Sequence, residues 1–223
     1  MDVVAQHFIN YLSTDKAIAE QTLILILMLP IIAMLVVSAR HILGLKSFGM
    51  YVPIIATYAL ATLGFKIGLV LILYLAAIGL VTRYSISILR IHYLSRLSLV
   101  IGVSTIASLV FIYILTIIDP LAAYAQQGAL SIVLVISFAE TFVSTEIQKG
   151  SRTALYLFAE TIVIAVLGSL LIRWDFMRNL LLDFPYIIIV TILLNVIIGK
   201  WKGLRLSEMW RFRTIKKSTI KKV

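Results

Sequence analysis

The stretch Thr22–Ala39, TLILILMLPIIAMLVVSA, holds no charged residue, and its only hydroxyls stand at Thr22 and Ser38. A helix needs about 20 apolar residues to cross about 30 Å of hydrocarbon, and this run has the length and composition to do so. Six further stretches read the same way: Ser47–Leu63, Phe65–Thr82, Ser95–Ile118, Ala129–Ile147, Ala154–Ile172 and Leu180–Ile198. Of the 223 residues, 61% are hydrophobic and 13% charged, and the mean hydropathy is +1.07. So few charges cannot cover a water-soluble core. The sequence therefore predicts an all-α polytopic membrane protein, a bundle of seven transmembrane helices. Its expected organisation is a short outer segment (1–20), a membrane domain (21–199) and a basic interfacial tail (200–223).

Basic residues set sidedness in helical membrane proteins. The tail carries Lys200, Lys202, Arg205, Arg211, Arg213, Lys216, Lys217, Lys221 and Lys222. With the tail in the cytoplasm, Arg40, Lys46, Arg83, Arg90, Arg96, Lys149 and Arg152 fall on the same side. Only Lys16, Lys66, Arg173 and Arg178 remain outside. The expected topology is thus N-terminus out and C-terminus in. The net charge of +10 gathers at helix ends and in the tail, so it points to anionic lipid headgroups rather than nucleic acid. No cleavable signal peptide is expected, since the first span is too long for one and no basic segment precedes it.

Val4, Phe8, Ile9 and Leu12 recur at helical spacing, which predicts a small amphipathic helix on the outer surface. Pro30 predicts a kink in the first span. The segment Gly44–Pro53, GLKSFGMYVP, places two glycines and a proline at the mouth of a short span. It reads either as a sharp turn with close helix packing or as an interrupted helix of the kind that builds mid-membrane sites. Arg83–Arg96 is basic and aromatic, suited to the headgroup region. In the tail, Trp201, Leu204, Leu206, Met209, Trp210 and Phe212 alternate with cations, the pattern of a surface-lying helix.

Ionisable residues within a bilayer are costly and mark candidate sites. Glu140 and Glu160 lie at similar depth in the antiparallel fifth and sixth spans, roughly 10 Å in at 1.5 Å per residue. They are placed to share a proton, or to pair with Arg83 or Arg96. Two readings stay open: a proton, cation or polar-substrate path, and a buried pairing that fixes helix register. Asn195 is expected to bond a neighbouring helix, and Asp183 to lie near the outer interface. His7, His41 and His92 fall on two sides of the membrane, so no metal site is expected. Cysteine is absent, and Ser47, Ser137 and Ser169 have no His–Asp company. No phosphate-binding glycine loop or hydrolase motif occurs. Neither an enzyme nor a resident cofactor is expected.

Four segments in order carry a resemblance: RHILGLKSFGMYVPI (Arg40–Ile54), HYLSRLSLV (His92–Val100), the region of Glu140 with Gly150, and GKWKGLRLSEMWRFR (Gly199–Arg213). Together the chain resembles the seven-transmembrane-helix family usually fused to an inactive transglutaminase-like domain. The resemblance points to Arg40, Gly44, Phe48, Gly49, Pro53, Arg96, Glu140, Gly203, Arg205, Glu208, Arg211 and Arg213 as family-pattern positions, and assigns none of them a reaction. It implies a bacterial host, a cytoplasmic (inner) membrane location, and genes associated with ATP-grasp peptide ligases and a retropepsin-like protease. The extracytoplasmic domain is expected to be missing, because only a short segment precedes the first span. The function expected is a non-enzymatic membrane scaffold recruiting a cytoplasmic protein partner. The alternative is a transporter or channel-like component using the intramembrane carboxylates.

Overall fold

The computed structural model describes residues 20–86, 91–118, 129–184 and 186–200. Among them all regular structure is helical, as the lack of water to satisfy backbone groups in hydrocarbon demands. The helices are α1 (Glu20–Ser38), α2 (Tyr51–Leu63), α3 (Phe65–Ile86), α4 (Tyr93–Ile118), α5 (Ala129–Lys149), α6 (Ser151–Arg173), α7 (Asp175–Asp183) and α8 (Ile187–Lys200). The amphipathic segment expected near Val4–Leu12 and the tail beyond Lys200 lie outside the described residues.

Five helices are long and apolar enough to cross a membrane among the described residues, and a sixth crossing arises if α7 and α8 form one broken span. Two expectations are thereby refined. The second span is a helix of only 13 residues, about 20 Å at 1.5 Å per residue. The seventh does not run straight, because α7 and α8 meet at 108°. Pro185 disfavours helical geometry in the residue before it, and Phe184 indeed sits at φ −132°, ψ 68°.

The described residues group into two compact units, one lying within Met1–Lys46 and Trp174–Val223 and the other within Ser47–Arg173. In the first, α1 packs on α8 and α7. Ile24, Met28, Ile32 and Val36 recur every four residues on its buried face, while Ile26 and Leu29 are exposed. The helix runs unbroken through Pro30. It then widens into one π-helical turn, Ala39–Leu43, closed by Gly44 at φ 79°.

The second unit is built around α2, which packs against α6, α5 and α3. Its small residues permit this: Ala56, Thr57 and Ala59 are buried, and Gly168 of α6 leaves room for Thr57, whose Cγ2 would stand 2.7 Å from any added Cβ. Close approach through small residues is the usual basis of helix association in lipid. Gly64 alone joins α2 to α3, at φ 89°, a conformation that favours glycine. Around it the Arg173 guanidinium donates to the Ala61 carbonyl at 3.4 Å. A core of Phe48, Leu60, Leu71, Leu75, Phe138, Phe142 and Phe158, with smaller apolar neighbours, fills the unit.

Candidate functional site

Three contacts fix how α2 lies. The Phe48 amide donates to Thr161 Oγ1 at 3.1 Å, Thr57 meets Gly168, and Ala61 receives Arg173. Residue numbers rise together, so α2 runs parallel to the second half of α6. Thr161 is ten residues into α6, about 15 Å along it. The backbone at Phe48 therefore begins α2 beside the middle of a spanning helix. Gly49 turns the chain there with φ 56°, Ser47 Oγ donates to the Gly49 carbonyl at 3.1 Å, and Pro53 occupies the first turn, where its missing N–H costs no hydrogen bond. Phe48 closes the break from inside: its ring lies edge-on to Phe138 and Phe142, at 6.1 and 6.3 Å between centroids. Phe158 completes the cluster, 5.3 Å from Phe138 and 4.7 Å from Phe142. The family-pattern positions Gly44, Phe48, Gly49 and Pro53 thus each have a structural task. Arg40 lies in the π-helical turn. Gly203, Arg205, Glu208, Arg211 and Arg213 lie outside the described residues.

Toward the other end of α6 the unit carries a layer of polar side chains. Arg83, near the end of α3, forms an ion pair with Glu146 of α5. Ser151, the first residue of α6, donates to the same Oε1 at 2.7 Å. Glu146 is 1% exposed, so it binds three helices together where water is excluded. Beside it, Gln148 Nε2 donates to Tyr93 Oη at 2.9 Å and to Ser144 Oγ at 3.1 Å. The Tyr93 and Ser144 hydroxyls are 2.6 Å apart. These bonds clamp the start of α4 to the end of α5. Arg96, one turn further along α4, is half-buried, and its Nε has no hydrogen-bond partner among the described residues.

The sequence-predicted carboxylates sit elsewhere. Glu140 and Glu160 are both half-buried and at matching depth on α5 and α6. The ring cluster, however, selects which faces of these helices meet. Glu140 is two residues from both Phe138 and Phe142, and Glu160 two from Phe158, so each is turned roughly 160–200° away from those rings. Arg83, offered by the sequence as a partner for either, is bonded instead to Glu146. Glu146 lies three residues from the end of α5, a place where a carboxylate reads as interfacial. Its spacing from Ala139, Phe142 and Val143 was the available signal, since all lie on one buried face. Asn195 of α8 was expected to bond a neighbour, yet its Oδ1 has no partner among the described residues. Also among those residues, no group of three His, Asp or Glu side chains gathers to hold a metal ion.

Long apolar helices and a core closed by aromatic rings, with polar side chains bonding across helix pairs or back to their own helix, define a multi-pass helical membrane protein. A family model described as seven transmembrane helices, usually fused to an inactive transglutaminase, matches residues 2–216. The chain belongs to that family. No curated protein and no solved structure matches it.

Proposed function

We propose that this chain is a non-enzymatic scaffold of the cytoplasmic membrane, with its N-terminus outside and its C-terminus inside. In this reading the basic loop Arg83–Arg96 and the basic tail Gly199–Arg213 each serve to recruit a soluble partner. The resemblance suggests a ligase of the ATP-grasp class for that partner. The observation that carries the reading is the use made of polar groups in the Ser47–Arg173 unit. Its most buried carboxylate is tied to Arg83 and Ser151, and Phe48, Phe138, Phe142 and Phe158 occupy its centre. Such an interior holds helices in register and offers a fixed surface.

A pulldown from solubilised native membranes tests this, comparing the intact chain with one ending at Gly199. Recovery of a ligase or protease with the intact chain alone is the expected result. Equal recovery with both chains, from equal amounts of folded protein, contradicts the scaffold reading.

A second reading, a transporter or channel-like component, is favoured by one feature: α2 starts beside the middle of α6, as interrupted helices of transporters do. There Glu140 and Glu160 line a polar path. Ion or substrate flux abolished by Glu140→Gln or Glu160→Gln at normal expression selects this reading, and unchanged flux removes it.

A further inference from the structure

Helix α7 differs in kind from the helices on either side of it in the chain. α6 is long and apolar enough to cross a membrane, and α8 is apolar from Ile187 to Ile198 but for Thr191 and Asn195. Between them α7 carries Asp175, Arg178, Asn179 and Asp183 within nine residues. At about 3.6 residues per turn, Phe176, Leu180, Met177 and Leu181 fall on one arc of the helix. Arg178, Asp175, Asn179 and Asp183 fall on the opposite arc, with Leu182 among them. Protein covers only part of the apolar arc. Leu181 is fully buried and α7 packs on α1, whereas Phe176 is 58% exposed.

Both ends of α7 are sharp breaks. Trp174 is extended before it, at φ −76° and ψ 108°, and Phe184 leaves helical geometry after it. α8 then departs at 108°, close to a right angle, and a helix crossing a membrane helix at that angle runs along the bilayer surface. Each break carries a pair of exposed aromatic side chains. Trp174 and Phe176 have ring centroids 5.7 Å apart, and Phe184 and Tyr186 5.6 Å. Trp and Tyr concentrate where headgroups meet hydrocarbon.

From these observations we propose that α7 is an interfacial helix whose partner is the lipid surface. It lies in the plane of the bilayer, with Phe176, Leu180 and the two aromatic pairs seated at the boundary of headgroups and acyl chains. Asp175, Asn179 and Asp183 turn to water. A broken crossing through α7 would instead carry two carboxylates and a guanidinium into hydrocarbon, which is costly. Arg173 and Arg178 balance Asp175 and Asp183 in number, so apolar burial holds the helix in place and headgroup charge does not. The placement is independent of the scaffold reading.

The test uses the full chain in phosphatidylcholine vesicles, with a nitroxide on one cysteine at a time: Asp175→Cys, Phe176→Cys, Asn179→Cys or Leu180→Cys. Oxygen reports hydrocarbon and a water-soluble nickel chelate reports the aqueous side. Labels at Phe176 and Leu180 are expected about 5–10 Å below the headgroup surface, and labels at Asp175 and Asn179 on the aqueous side of it. Ile192→Cys, on an exposed part of α8, marks a position inside the hydrocarbon. Leu180 is half-buried, so Phe176→Cys, at an exposed position, carries the reading where Leu180→Cys fails to fold. Adding phosphatidylglycerol is expected to leave every depth unchanged. A depth that changes steadily along the four positions, by about 1.5 Å per residue, would make α7 part of a crossing. Nickel access at all four would place the helix in water. Burial seen only with phosphatidylglycerol would make charge the anchor. Each of these three results overturns the proposal.

Discussion

Helices α2 and α4 both read from sequence as apolar spans, yet the structure uses them in opposite ways. α2 has 13 residues, enclosed by three helices, and its buried face sets the small Ala56, Thr57 and Ala59 beside Leu60 and Leu63. α4 has 26 and turns most of its surface outward, with Leu94, Ile106, Leu109, Tyr113 and Ile117 each exposed. Its inward stripe is narrow: Val100, Ser104, Ala107 and Ser108. Hydrophobicity cannot distinguish the two, because lipid and protein interior are equally apolar. The sizes of the side chains do distinguish them. A helix meant for the centre of a bundle carries residues that let backbones approach, and one meant for the rim carries bulk facing lipid.

Substitutions in the two helices and their neighbours test that contrast. The largest effect is expected from Phe48→Ala, which empties the ring cluster at the start of α2. A loss of about 3 kcal/mol is expected, read by denaturant titration of the detergent-solubilised protein. Gly168→Leu drives a side chain into Thr57 and should cost about 2–3 kcal/mol in the same titration. Glu146→Gln leaves Arg83 without its counter-charge. Arg83 is 24% exposed, so solvent screens part of the loss, and about 2 kcal/mol is expected. Against these, Ile106→Ala on the lipid face of α4, at 64% exposure, should change stability by less than about 0.5 kcal/mol. A cost at Ile106 comparable to that at Phe48 would erase the distinction between the two helices.

Much of the architecture was legible in the chain. Apolar runs located the five long helices, because hydrocarbon thickness fixes their length. The glycines and proline of Gly44–Pro53 marked a break, and Gly44 and Gly49 do adopt positive φ. The bend between α7 and α8 was missed, since proline is tolerated inside spanning helices and nothing local shows whether neighbours will hold the helix straight. Position along the helix was readable for Glu140 and Glu160, but facing was not. Facing depends on which side of α5 and α6 the phenylalanines select, a choice made by tertiary packing. Glu146 escaped notice for the converse reason: its position along the helix looked interfacial, while its position around the helix made it buried.

The native chain contains no cysteine, so single-cysteine reporters give a clean measurement of whether α2 is enclosed by protein. Ala59→Cys on α2 and Ile106→Cys on α4 would be treated in membranes with a water-soluble and a lipid-soluble thiol reagent. Ala59→Cys is expected to resist both reagents until the protein is denatured, and Ile106→Cys to react readily with the lipid-soluble one. Rapid labelling of Ala59→Cys by the water-soluble reagent would reveal an aqueous path beside α2. That result would contradict both the closed core and the scaffold built on it.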